Sequence, residues 1–470
     1  MLEPDKNLNP KMMVDPPGWL RHLMRRQFDK VTDLRNVNTR REKAEKKRQN
    51  NGEPHVVEYF HQLDDPYSHL TAQVLATLAE RYDVVIKPHL IRASGGKNQP
   101  EAEKLAKWAR RDAELIAPHY GLEFPKDAPV KPTNENMSFA ADILAIYDPN
   151  NVIILSDFEE FAIKVPEVSN ALWKGKLDQF SNYDSEHLDG CFTHISLDKG
   201  DERLAELGHY SGATFYYAGE WYWGVDRLFH LEQRLRDLGI CKEPSLPFIC
   251  PRPDIDVSGV DASKLTLDFY PSLNSPYTSI IYDRTIALKN ECGIQFNHKP
   301  VLPMIMRGVP ATRAKGMYII FDTKREGEFL GVPFGPMITP IGEPTRQAYS
   351  LLPWAMERGK DEALMSSLLA HAFSKGVPLH TKKGMKRAVE AAGLDWNEAS
   401  KHLGNNDWKA MVERHQDEMV DGLGLWGVPS YRLSGDDGEP DIAVWGQDRL
   451  WLIAAEIRRR SNSGRLADKG

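Results

Sequence analysis

Cysteine is scarce in this sequence, since the chain of 470 residues contains only four. So few thiols in so long a chain exclude a disulfide scaffold. No two of them have the Cys-x-x-Cys spacing of a redox dithiol, and no Cys/His cluster has the spacing of zinc ligands. The sequence therefore predicts no metal site and no dithiol chemistry. The four cysteines are Cys191, Cys241, Cys250 and Cys292.

The sequence also lacks long apolar runs and a basic excess. No stretch of about 18 apolar residues is present, so we expect no membrane span. The formal net charge of −7 gives no reason to expect a protein that binds nucleic acid. The first residues, Met-Leu-Glu-Pro-Asp-Lys, have no apolar signal core, and the sequence therefore predicts a cytoplasmic protein.

Two domains are expected, because 470 residues exceed what one hydrophobic core organises. A Pro-rich stretch at 243–262 is typical of a linker between two halves of similar length. Residues 19–50 are rich in Arg and Lys, with apolar side chains such as Leu23 at helical spacing. Such a helix can lie on a membrane or on nucleic acid, but more often it packs on its own protein or on a subunit. The predicted segments are a basic arm at 1–53, a first domain at 54–242, the linker at 243–262, a second domain at 263–460 and a tail at 461–470.

The two halves repeat one another. A strand at 56–60 leads to Asp65-Pro-Tyr-Ser, and a strand at 265–270 leads to Ser275-Pro-Tyr-Thr, 210 residues later. Each half then has a helix-rich interior and closes on a strand pair, a Trp-Gly-x-Asp-Arg motif and an amphipathic helix. Strand, helix, strand, helical insert, strand pair and closing helix make up the thioredoxin-like plan. The sequence therefore predicts an α/β fold of two tandem thioredoxin-like domains, each with a large helical insertion.

Three motifs of the second half carry candidate chemistry. Ser275 begins a helix, where backbone N–H groups and the helix dipole favour negative charge, so its hydroxyl can hydrogen-bond a thiolate or only cap the helix. Pro429 is placed where a cis peptide often occurs, and the backbone of Val428 can then pair with a peptide-like ligand, although a trans proline is equally compatible with the pattern. Asp448 and Arg449 open the last helix, where a carboxylate can accept an ammonium group or serve as the cap.

The order of these motifs resembles the kappa-class glutathione transferases and 2-hydroxychromene-2-carboxylate isomerases. That family belongs to the DsbA-like branch of the thioredoxin superfamily, and the resemblance covers roughly residues 263–460. The motifs that match are Ser275-Pro276-Tyr277-Thr278, Lys315-Gly316-Met317-Tyr318 followed by Asp322, Gly331-Val332-Pro333-Phe334, Gly427-Val428-Pro429 and Gly446-Gln447-Asp448-Arg449.

The resemblance implies a glutathione-dependent isomerase or transferase that acts on a small aromatic or electrophilic compound. It implies glutathione as the cofactor, Ser275 as the catalytic residue that stabilises the thiolate, and a homodimer. The residues that it implies in glutathione binding are Lys315, Val428 with a cis Pro429, Asp448 and Arg449.

The sequence departs from the family at several positions. Arg307-Gly-Val-Pro stands where the family often has Gly-Asn-x-Pro, so one glutathione contact is missing. In the first half, Asp65 replaces the serine, Thr214 the proline and Leu105 the lysine. A carboxylate beside a thiolate would repel it, so we expect the first half to have lost or changed the chemistry. Two other functions stay open: a non-catalytic thioredoxin-fold binding or structural protein, and a DsbA-type thiol-disulfide oxidoreductase relative without the Cys-x-x-Cys motif.

Overall fold

The computed structural model of the protein describes residues 9–149, 158–181 and 190–467. Contacts within the chain define two compact units. The first unit is Asn38–Pro253, and the second unit combines the chain before Asn38 with the chain from Asp254 onwards. One boundary falls inside the Pro-rich stretch at 243–262, and the other falls inside the basic arm at 1–53.

Helices precede the first strand of the chain. Their bounds are α1 (Lys11–Val14), α2 (Gly18–Thr32) and α3 (Leu34–Asn51). Both α1 and α2 belong to the second unit, and the division between the units falls within α3. In α2, Arg21 is buried, whereas Leu23 is exposed. The guanidinium of Arg21 forms hydrogen bonds on the buried side of this helix.

The first unit contains a four-stranded sheet with the order β2-β1-β3-β4. Its strands are β1 (Val56–Gln62), β2 (Val85–Ile91), β3 (Thr214–Tyr217) and β4 (Glu220–Trp223). β1 pairs in parallel with β2 and antiparallel with β3, so it is an inner strand and is buried after its first residue. The helices of this unit are α4 (Pro66–Ala72), α5 (Leu75–Arg81), α6 (Ala102–Ile116), α7 (Asn134–Ile146), α8 (Phe158–Lys174), α9 (Gly190–Glu206) and α10 (Val225–Asp237).

The second unit contains a four-stranded sheet with the order β6-β5-β7-β8, which corresponds strand for strand to that of the first. Its strands are β5 (Leu265–Tyr270), β6 (Gln295–His298), β7 (Ser430–Gly435) and β8 (Ile442–Trp445). The helices that follow β5 are α11 (Pro276–Cys292), α12 (Arg313–Phe329), α13 (Glu343–Tyr349), α14 (Leu352–Met356), α15 (Asp361–Phe373), α16 (Lys382–Ala391), α17 (Trp396–Ala399), α18 (Trp408–Asp417) and α19 (Leu450–Ala467).

The α/β class predicted from the sequence is confirmed by these sheets and helices. The strand at 265–270 has the predicted bounds, and the predicted helix-rich interiors of the two halves contain helices such as α6 and α15. One difference lies after the first strand of each half, where α11 is a single helix but α4 and α5 are separate. Among the described residues, no helix has both the length and the apolar character needed to cross a membrane.

Candidate functional site

Ser275 lies at the amino end of α11, as its position after β5 predicts. Its Oγ accepts a hydrogen bond from the backbone N–H of Thr278 (3.1 Å), which caps the helix. The same hydroxyl donates to the carbonyl oxygen of Val428 (3.3 Å), and the residue is only 7% exposed. The first turn of α11 contains no acidic residue that would offset the positive end of its dipole. The turn therefore presents a hydroxyl and positive potential to any anion that reaches it.

Residues 426–430 form the cis-proline segment, in which the Val428–Pro429 peptide bond is cis, as predicted. Val428 uses its carbonyl oxygen to accept from Ser275, while its N–H makes no hydrogen bond within the part of the chain that the structure describes. Gly427 is required by packing, because a Cβ there would lie 1.7 Å from Cε2 of Trp445. A segment with an unused N–H beside a helix amino end can pair with the backbone of a peptide-like ligand.

Arg307 stabilises the cis-proline segment. It belongs to the Arg-Gly-Val-Pro stretch that replaces the Gly-Asn-x-Pro motif of the family. Its guanidinium donates to the carbonyl oxygens of Trp426 (2.6 Å) and Leu302 (3.0 Å). The side chain is buried, and burial lowers its pKa to about 10. This role could not be predicted from the sequence, because a single arginine in a Gly/Pro stretch gives no signal of a carbonyl partner more than 100 residues further along the chain.

Lys315 approaches the same segment from the first turn of α12. Its Nζ lies 5.4 Å from the centre of the Trp426 ring, a cation–π distance. Burial of the ammonium group lowers its pKa to about 8. No carboxylate among the described residues pairs with it. A half-buried cation without an anionic partner is suited to an anionic ligand group.

Asp448 lies in the turn that leads into α19. Its side chain is 16% exposed, and Gly446 must lack a side chain because a Cβ there would come within 2.5 Å of Oδ1 of Asp448. The N–H of Gly446 donates to the carbonyl oxygen of Pro429 (3.0 Å), so this turn is tied to the cis-proline segment. Arg449 is buried, and its Nη1 donates to the backbone oxygen of Asp448 (3.0 Å). Arg449 thus braces the turn from within the protein.

A buried polar pair supports the Asp448 turn and was not identified from the sequence. Nε2 of Gln447 donates to Oε2 of Glu326 (2.5 Å), and both side chains are buried. In the repeat, Val225 of the first unit is equivalent to Gln447, and Ile116 is equivalent to Glu326. Both first-unit residues are buried and apolar. The pair therefore distinguishes the second half from the first.

The first unit uses the same positions differently. The Asp65 carboxylate accepts from the N–H groups of Tyr67 (3.2 Å) and Ser68 (3.1 Å), so it occupies the end of α4 itself. Burial raises the pKa of Asp65 to about 7. Asp226, the counterpart of Asp448, accepts a hydrogen bond from the hydroxyl of Tyr120 (2.9 Å). Thr214 is buried and donates to the carbonyl oxygen of Ser211 (3.1 Å), so none of these groups is arranged as in the second unit.

One pair is common to both units. The Tyr67 hydroxyl donates to Asp112 (2.7 Å), and the Tyr277 hydroxyl donates to Asp322 (2.9 Å). In each unit the tyrosine is in the first turn after the opening strand, and the aspartate is in the long helix of the insert. This shared contact fixes the alignment of the two halves well beyond the opening strand.

The family model described as the DSBA-like thioredoxin domain matches residues 266–458. These residues of the second unit therefore form a DsbA-like thioredoxin domain. A comparison with curated proteins gives no match.

Solved structures that are similar share little sequence with this chain. A 2-hydroxychromene-2-carboxylate isomerase is 19% identical, with a TM-score of 0.35, over 44% of this chain and 99% of its own. A probable DsbA oxidoreductase from Streptomyces coelicolor is 17% identical, with a TM-score of 0.32, over 42% and 89%. A cytosolic disulfide reductase from Pseudomonas aeruginosa is 16% identical, with a TM-score of 0.31, over 42% and 98%.

Proposed function

We propose that the chain is a tandem of two thioredoxin-like domains, in which the second is a glutathione-dependent isomerase or transferase for a small aromatic or electrophilic compound. The observation that carries this proposal is the hydrogen bond from Ser275, at a helix amino end, to the carbonyl before cis Pro429. The common strand order of the two sheets supports the tandem arrangement. The cytoplasmic location and the homodimer stay predictions.

The groups around the cis-proline segment match the parts of glutathione. The backbone of Val428 would pair with the cysteinyl unit, and the Lys315 ammonium group would bind a carboxylate. The Asp448 carboxylate would accept the γ-glutamyl ammonium group, with Arg449 holding its turn. The glutathione sulfur would then lie at the amino end of α11, where the dipole stabilises a thiolate. The Ser275 hydroxyl would turn its hydrogen from Val428 to that sulfur.

A thiolate placed in this way serves both reactions. In an isomerisation it forms a C–S bond to a conjugated carbon, and the electron pair moves to the substrate's carbonyl oxygen. The former double bond, now single, rotates, and the reverse electron movement expels the thiolate unchanged. In a transfer the C–S bond persists, and the electrophile either loses its leaving group or takes up a proton. Neither route needs a protein thiol.

The first unit is proposed to bind no glutathione thiolate. The Asp65 carboxylate accepts the N–H groups at the end of α4 that a thiolate would face. This observation favours a non-catalytic role for the first unit within an enzyme whose second unit is active.

A dithiol oxidoreductase is the less favoured function. Neither Ser275 nor Asp65 carries a thiol, and Cys250 and Cys292 are buried, which raises the pKa of both thiols. A buried thiol of raised pKa is a poor nucleophile. The side chain of Cys191 lies outside the described residues.

The thiolate role of Ser275 is tested by the pKa of bound glutathione. In Ser275→Ala we expect the pKa of the bound thiol to rise by about 1, because a hydrogen bond to a charged group contributes about 1.5 kcal/mol or more. Ser279→Ala is the matched control, since the Ser279 hydroxyl donates to the Pro276 carbonyl (2.6 Å) in the same turn. The measurement is the ultraviolet absorbance of the thiolate in the complex as a function of pH. An identical pKa in all three proteins would refute the role.

A further inference from the structure

We propose that the N-terminal segment Asn9–Thr32 is part of the Ser275 site, with Arg21 as a positioning residue for the turn that carries Ser275. The chemical consequence of this inference rests on the function proposed for Ser275, but its structural basis does not. The segment precedes the first unit in the chain and yet belongs to the second unit. No feature of the sequence assigns it to this site.

The segment is anchored on either side of α12, the helix that carries Lys315. Before α12, Nδ2 of Asn9 donates to the carbonyl oxygens of Ile305 and Val309, each at 3.3 Å. After α12, Oδ1 of Asp15 accepts the N–H of Glu343 at 3.1 Å. Between these anchors, α2 packs against α12 itself.

The anchor at Asp15 is built into the loop after α12. At Gly342, a Cβ would lie 2.3 Å from Oδ1 of Asp15, and the backbone φ of +85° also favours glycine. Oδ1 of Asp15 also accepts from Nη2 of Arg21 (2.8 Å). Gly342 thus leaves room for a carboxylate that holds a guanidinium in place.

Arg21 connects this anchor to the turn of Ser275. The side chain of Arg21 is 2% exposed, and its Nη1 donates to the carbonyl oxygen of Thr339 (2.7 Å). Thr339 in turn donates from Oγ1 to Oδ1 of Asn274 (2.8 Å), and Asn274 immediately precedes Ser275. Two hydrogen bonds and one peptide bond therefore join α2 to the start of α11.

The expected role of this connection is to fix the turn where an electrophile meets the thiolate. Among the described residues, Arg21 hydrogen-bonds to Thr339 and Asp15 and not to Val428, Lys315 or Asp448, which are proposed to hold glutathione. Its loss should loosen the loop around Thr339 and the Asn274–Ser275 turn while Val428, Lys315 and Asp448 stay in place. A misplacement of about 1 Å at a reacting centre can cost about 100-fold in rate.

The test compares Arg21→Met with Arg25→Met in the full-length chain. Arg25 lies one turn further along α2, and its Nη1 donates to the carbonyl oxygen of Gly376 (3.1 Å), so it is held by the same kind of bond to another loop. We expect faster amide hydrogen exchange at residues 272–279 in Arg21→Met than in Arg25→Met. We also expect a fall of about 10- to 100-fold in kcat in Arg21→Met only, with glutathione bound no more weakly than in Ser275→Ala.

A second variant, Thr339→Val, removes the Oγ1 hydrogen bond to Asn274 and leaves the Thr339 carbonyl for Arg21. It should reproduce the faster exchange even if Arg21→Met fails to fold. Equal exchange at 272–279 in Thr339→Val and wild type, or in both arginine variants, would overturn the inference. The exchange experiment contains no glutathione, so a wild-type protein that binds none would refute the proposed function and leave this result intact.

Discussion

A serine and an aspartate at equivalent positions separate the two units chemically. The Ser275 hydroxyl is neutral, accepts one N–H and donates to Val428, so it leaves the charge of the helix end uncompensated. The Asp65 carboxylate accepts two backbone N–H groups and the Ser68 hydroxyl (2.9 Å). The serine leaves the amino end of its helix available to an anionic ligand, whereas the aspartate occupies the amino end of its helix with its own carboxylate.

The pH dependence of stability should report on Asp65. Burial raises its pKa to about 7 in the folded chain, against about 3.9 in an unfolded chain. As the pH rises from about 4 to about 7, the unfolded chain releases this proton while the folded chain retains it, so stability falls over that range and levels off above it. Asn caps helices equally well and does not titrate, so Asp65→Asn should gain stability relative to wild type as the pH rises.

The measurement is the calorimetric Tm of Asp65→Asn and of wild type at pH values near 5 and 7.5. Asp64→Asn is the control, because the Asp64 carboxylate is in the same turn but pairs with Lys131 (2.9 Å). We expect no comparable gain in the control. A difference in Tm between Asp65→Asn and wild type that is the same at both pH values would contradict the buried-carboxylate interpretation.

At the scale of helices and turns, the Glu326–Gln447 pair ties α12 to the turn that precedes α19. The pair joins α12 to the turn of Asp448, and the equivalent positions of the first unit hold Ile116 and Val225. In both units these positions are buried. The second unit satisfies them with a hydrogen bond, and the first unit fills them with apolar side chains. The first unit therefore supplies a natural replacement for each residue of the pair.

We expect the effects of Gln447→Val and Glu326→Ile on the free energy of unfolding to be strongly coupled. Gln447→Val alone leaves the Glu326 carboxylate buried without its amide donor, which should cost about 1–3 kcal/mol in the free energy of unfolding. Glu326→Ile with Gln447→Val should cost less than the sum of the two single changes, because the hydrogen bond that the two residues share is lost only once. A double-mutant cycle in urea unfolding measures the coupling. Additive effects of the two changes would show that the pair does not act as a unit.

Elements that depend on local sequence were predictable. The cap at Ser275, the strand at 265–270 and the cis Pro429 follow from neighbours in the chain or from the motif that surrounds them. The bracing groups were not predictable, because their partners are distant: the bond from Arg21 to Thr339 spans 318 residues. No periodicity or motif records such a contact.

For the whole molecule, the repeat accounts for two sheets of the same strand order. The division of the chain could not be predicted in full, since the basic arm was treated as one segment but its first helices, α1 and α2, belong to the second unit. Tertiary packing decides to which unit a helix belongs. The buried Arg21, bound by a carboxylate and a carbonyl, cannot be recognised from an amphipathic sequence pattern.

The most direct test of the proposed function is a calorimetric titration of reduced glutathione into the full-length protein. We expect one site per chain, because the second unit offers an uncompensated helix end and the first unit fills its own with Asp65. Asp448→Ala should abolish or weaken binding through loss of the ammonium partner, and Ser275→Ala should weaken it through loss of the sulfur contact. Binding of one equivalent that is lost in this way would support a glutathione enzyme, whereas no heat of binding at millimolar glutathione would contradict it.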